Sequence, residues 1–167
     1  TFQRDLSEDL IEFESDNEII SVDGFKIKGS GRVTGIEMST SEDDINPVIT
    51  NLYNNSGNVI INTIQESQSN IVDTQVGNWS IVDNVPKGAT ITSVFDEVKD
   101  NTVTKLDGYK KYNAYMVGGK KTKNGWNNTE DTILKWSMNY KERYAVVIHV
   151  QTKKGNRRLK YTGINKD

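Results

Sequence analysis

The chain predicts an all-β domain. The expected form is a single-domain antiparallel β-sandwich, immunoglobulin-like or jelly-roll-like, with a small up-and-down β-barrel as the alternative. Three observations carry that expectation. About ten short segments alternate apolar and polar residues with the two-residue period of a strand. Turn signals separate them at intervals of about ten residues, the spacing of sandwiches and barrels. The 167 residues hold only two prolines, and no long stretch repeats with the 3.6-residue period of a helix.

Composition agrees. With 34% apolar against 26% charged residues, the core has to be assembled from many half-buried elements, which favours thin sheets. The length suits one compact domain able to bury a core without metal or disulfide. Cysteine is absent, which removes disulfide frameworks, thiolate metal sites and cysteine nucleophiles. No run approaches the roughly 18 apolar residues of a membrane span. The opening TFQRDLSEDL lacks the basic and apolar regions of a signal peptide. A start at Thr1 rather than Met suggests that an upstream segment has been removed.

In order along the chain, residues 1–18 form an acidic leader or a short helix, with Ser7 as the expected cap ahead of Leu10, Ile11 and Phe13. Residues 19–167 form the single all-β domain. Ile20 and Val22, then Asp23-Gly24, then Phe25 and Ile27 predict a hairpin turning at Asp23-Gly24. Val33, Ile36 and Met38 continue as a strand whose apolar phase slips at Gly35, predicting a bulge. Short strands are expected over Val48–Tyr53, Val59–Ile64 and Ile71–Val76. Trp79, Ile81 and Val85 precede a Pro86-Lys87-Gly88 corner that leads into a strand from Thr90 to Val94. Asp96 to Asn101 is a charged turn, and Asp107-Gly108 is a second turn signal before a strand from Tyr109 to Val117. Thr132 to Tyr140 is a further strand. The closing stretch, Tyr144 to Gly163, is the clearest hairpin. Val146, Ile148 and Val150 share one face, and Ala145 and Val147 make the other apolar too, as in a central strand. Lys153-Lys154-Gly155-Asn156 is the turn, and Leu159 and Tyr161 alternate with charge beyond it.

The sequence offers little chemistry. His149 is the only histidine, and no nucleophile-elbow motif accompanies it, so a strand histidine with a local role is expected rather than a catalytic triad. Asp96, Glu97, Glu130 and Asp131 are the carboxylates that a hydrolase would draw on, but they lie in turn-like stretches where solvated charge is ordinary. Glu42, Asp43, Asp44 and Asn46 offer oxygen ligands of the kind calcium takes, yet their spacing fits no EF-hand, and an ordinary polar loop is expected. No glycine-rich phosphate cradle joins a strand to a helix. No cofactor and no metal are predicted.

Charge distribution is the more informative feature. Residues 1–100 hold 6 Lys or Arg and 18 Asp or Glu, whereas residues 101–167 hold 15 and 5. Such asymmetry implies either mutual neutralisation inside the fold or a dipolar surface that attracts an anion. If the basic third binds, the expected residues are Lys120, Lys121, Lys123 and Trp126 of the loop GGKKTKNGWNNT, together with Lys153, Lys154, Arg157 and Arg158 of the final hairpin; Lys26 and Lys28 serve as reference positions outside the site. The predicted function is a non-catalytic secreted or cell-surface binding module. Its partner is an anionic cell-wall or membrane surface, or a protein, ahead of nucleic acid. A membrane-active toxin component and a carboxylate-based hydrolase are the alternatives.

Overall fold

The structure, a computed structural model, describes residues 1–39, 48–53, 59–65, 70–71, 78–109, 112–118, 132–140 and 142–164. Two antiparallel sheets pack face to face. Sheet A follows the order β1 (Phe2–Asp5), β11 (Ile133–Tyr140), β3 (Gly31–Ser39), β9 (Asn101–Asp107) and β8 (Thr90–Asp96), and the two-residue β6 (Asn70–Ile71) also pairs with β3. Sheet B follows β13 (Gly155–Ile164), β12 (Arg143–Thr152), β2 (Ile19–Lys28), β10 (Ala114–Gly118) and β7 (Trp79–Asp83). A separate hairpin joins β4 (Val48–Tyr53) to β5 (Val59–Gln65). The single described helix, α1, spans Leu6–Phe13. Each of the two large sheets ends in separate edge strands, so the arrangement is the sandwich and not the closed barrel.

Alternation explains the core. On β12, Val146, Ile148 and Val150 are buried against the opposite sheet, as are Phe25 and Ile27 of β2 and Leu134 and Trp136 of β11. Trp136 is the aromatic centre. Phe25 meets it edge-on at 5.6 Å, and Phe2 stacks on it at 5.5 Å. Its apolar surface thereby ties β1, an edge strand of sheet A, to β2 in the middle of sheet B.

Three expectations need correction. Asp23-Gly24 is not a turn, because β2 runs straight through it. His149 pairs with Gly24 and Val150 with Val22, which leaves Asp23 as the extra residue of a bulge. A bulge absorbs one residue without ending the strand, and that keeps Val22 and Phe25 both facing the core. The strand expected from Tyr109 begins at Ala114; ahead of it the Tyr112 amide donates to the Tyr109 carbonyl, a bond across three residues that an extended strand does not make. The cap of α1 is Asp5 rather than Ser7, its carboxylate accepting from the amides of Ser7 and Glu8 at 3.0 and 3.1 Å. Starting the helix at Leu6 lines up Leu6 and Leu10 for burial at the sheets, and Glu8 and Asp9 fall in the first turn, where the helix dipole favours them.

The bulge expected at Gly35 is present. Between Lys135 and Ser137 of β11 one residue faces two on β3, and Gly35 takes φ +62°, a conformation open to glycine. The Pro86 corner and the Asp107-Gly108 turn also stand where expected, linking β7 to β8 and closing β9. Of the segment Ile71–Val76, only Ile71 lies among the described residues.

Candidate functional site

The final hairpin brings its cations to two different places. At its turn, the acidic residues that follow α1 form a collar. Glu18 pairs with Lys153 and Asp16 with Lys154. Glu14 receives Arg157 in a two-pronged contact, Nε to Oε2 at 2.8 Å and Nη2 to Oε1 at 3.0 Å. That guanidinium, helped by the Asn17 amide, holds the Glu14 carboxyl down at about 2. Asn17 organises the collar. It is buried, its side-chain amide donates to Thr152 Oγ1 at 2.9 Å and to Glu14 Oε2, and its carbonyl oxygen accepts from the amides of Glu18 and Lys154. Part of the charge asymmetry is therefore met by neutralisation between the acidic leader and the basic hairpin.

A second network lies further along β13. Asp9 accepts from Arg4 Nε at 2.9 Å and from the Tyr161 hydroxyl, and the Arg4 guanidinium lies 5.0 Å from the centre of the Tyr161 ring. Burial, reinforced by the Asp9 contact, pushes the Tyr161 hydroxyl well above its ordinary range. A groove of about 430 Å³ between α1 and β13 is crossed by these contacts and lined by Leu10, Phe13 and Leu159.

The outer face of sheet B is different. Register places Arg158 of β13 beside His149 of β12 and Gly24 of β2 in one row. The next row holds Lys160, Val147 and Lys26, and the third Thr162, Ala145 and Lys28. Rows two residues apart are separated by about 7 Å, and β13 and β2, with β12 between them, by about 10 Å. Arg158, Lys160, Lys26 and Lys28 thus share one face of the sheet, spread over three successive rows. Among the described residues none of the four is in an ion pair. Arg158 and Lys160 are exposed and Lys26 and Lys28 half-buried, while Ala145, Val147 and Met116 lie buried between or beside them. Burial, and then the repulsion of Lys28 and Arg158, lowers the Lys26 ammonium, with Asp83 opposing. His149 is lowered for the same reasons, by burial and then by Arg158 and Lys26, with Asp23 opposing.

Of the residues expected to bind, Lys153, Lys154 and Arg157 belong to the collar and Arg158 to the outer face. Lys120, Lys121, Lys123 and Trp126 lie outside the described residues, as do Glu42, Asp43, Asp44 and Asn46 and the carboxylates Glu130 and Asp131. Asp96 holds its own turn together, accepting from the amides of Val98 and Lys99 and pairing with Arg32 at 3.0 Å. Glu97 is exposed in the same turn. Among the described residues no three His, Asp or Glu side chains gather as metal ligands. No described helix is long and apolar enough to cross a membrane.

Lys26, Lys28 and Lys160 were not expected at a site. Their signal was alternation: Phe25-Lys26-Ile27-Lys28 and Leu159-Lys160-Tyr161 each set a lysine opposite a core residue. Only strand order reveals that they share a face. No family model matches this chain, and no curated protein and no solved structure is significantly similar to it.

Proposed function

We propose that this chain is a non-catalytic binding module that engages an anionic polymer through the outer face of sheet B, with Arg158, Lys160, Lys26 and Lys28 as the contacting groups. The observation that supports this reading is the difference in pairing. The hairpin-turn cations each have a carboxylate partner, whereas the four on the sheet face lie close to one another with none among the described residues. Like charges held together raise the free energy of the folded chain, and an anion laid across them relieves it. A sheet face with buried Ala145, Val147 and Met116 between or beside its cations favours a charged polymer over an apolar insertion into lipid.

The test is binding to immobilised dextran sulfate at low and high salt. Lys26→Glu with Lys160→Glu should abolish retention, and Lys153→Glu with Lys154→Glu should leave most of it. Equal losses from the two pairs would assign the attraction to overall charge rather than to this face, and retention unaffected by salt would exclude an electrostatic site.

A further inference from the structure

We infer that binding of an anion to the outer face of sheet B is coupled to uptake of a proton by His149. The inference rests on the binding reading above and adds a regulation to it. The imidazole stands within the cation cluster, directly opposite Arg158 on β13 and one row from Lys26 on β2, with Lys160 diagonal to it. Asp23, the extra residue of the β2 bulge, brings the one carboxylate among the described residues that acts on it; that carboxylate also accepts from the Ser21 hydroxyl. On β12 itself the residues next to His149 on this face are Val147 and Gln151, neither of them charged. His149 is half-buried, and its Nε2 is shielded from solvent with no hydrogen-bond partner among the described residues.

This environment disfavours imidazolium. A positive charge there would sit beside two cations, on a ring whose Nε2 is shielded from solvent and has no acceptor among the described residues. The depressed protonation of His149 in the free protein follows from the same surroundings. An anion seated on Arg158 and Lys26 reverses the local potential through space, without touching Nε2, and the barrier to protonation falls. Linkage makes the effect reciprocal: whatever an anion does to the affinity of His149 for a proton, the proton does to the affinity of the face for the anion. Binding should therefore tighten as the pH falls through the histidine range.

His149 is the only histidine in the chain, so its imidazole resonances can be followed by NMR without ambiguity. Dextran sulfate is a suitable probe because its sulfate esters stay ionised throughout the range. The imidazole titration would be recorded with and without saturating dextran sulfate, and affinity measured between pH 5 and 8 at fixed ionic strength, for the wild type and for His149→Gln. The expected result is an upward shift of the imidazole midpoint of one unit or more. That shift corresponds to at least tenfold tighter binding by the protonated form. His149→Gln should bind as the wild type does at pH 8 and lose that part of the tightening at pH 5. If dextran sulfate binds, and Lys26→Glu weakens it, while the imidazole midpoint stays where it was, the coupling is wrong and the binding face stands. If dextran sulfate fails to bind at low salt, the binding face itself is wrong.

Discussion

Arg157 and Arg158 are adjacent in the chain and belong to different regions of the molecule. Arg157 turns toward α1 and is held in a two-pronged contact by Glu14. Arg158 points to the opposite face, where its row mate is His149 and its neighbours are Lys160 and Lys26. The two-residue period of a strand makes that division unavoidable. What it teaches is that basic composition alone does not mark a binding surface. The collar holds three cations and the outer face four, but those of the collar are already satisfied by the chain's own acids.

Three perturbations, besides those above, sharpen the contrast. The largest effect should come from Ile148→Ala, which truncates a fully buried side chain of β12, the strand between β2 and β13. A cavity there should cost about 2–5 kcal/mol, seen as a lower midpoint in urea unfolding. It should weaken collar and outer face alike, because both are assembled on that strand. If polymer binding survives in conditions where the variant has unfolded, the attraction does not need the folded face.

Asn17→Ala should be smaller and selective. It removes the side-chain acceptor of the Glu18 amide and one of the two acceptors of the Lys154 amide, which still donates to Thr152 Oγ1 at 3.2 Å, at a cost of about 1–3 kcal/mol. Thermal unfolding should reveal that loss while dextran sulfate binding at neutral pH stays near that of the wild type. A parallel loss of binding would show that the collar and the face are one unit.

The smallest effect is on acid stability. Glu14 titrates at about 2 in the fold against an ordinary 4.5, so its contribution is fully present above pH 4.5 and is lost as the pH falls toward 2. Arg157→Gln removes the first cause of that depression. The variant should have a lower Tm than the wild type at neutral pH, and the gap between the two should narrow between pH 4.5 and 2. A gap that is constant with pH would mean that Arg157 acts through packing rather than through charge.

The sandwich was legible because its signal is local. Alternation in Tyr144–Val150, the phase slip at Gly35 and the Pro86 corner each announce their backbone within a few residues. Asp23-Gly24 misled because the same dipeptide suits a turn and a bulge. Which one forms depends on whether β12 lies alongside to continue the pairing, and that partner is more than 120 residues further along the chain. The pairing of the cations was less legible still. That Lys153, Lys154 and Arg157 meet carboxylates could not be read locally, because Glu18, Asp16 and Glu14 come from the opposite end of the sequence. That Lys26 and Lys28 share a face with Arg158 and Lys160 was hidden because β2 becomes the neighbour of β12 only through sheet order.

The amino-acid sequence by itself determined the all-β class, the faces of the individual strands, the absence of thiol chemistry and the polarity of charge between the two parts of the chain. These follow from composition and from a period of two, which need no knowledge of neighbours. Tertiary structure alone decided which cations are neutralised and which are left together. An ion pair or a cluster depends on distances of a few ångströms between residues far apart in sequence, and only the packing of strands and leader sets those distances.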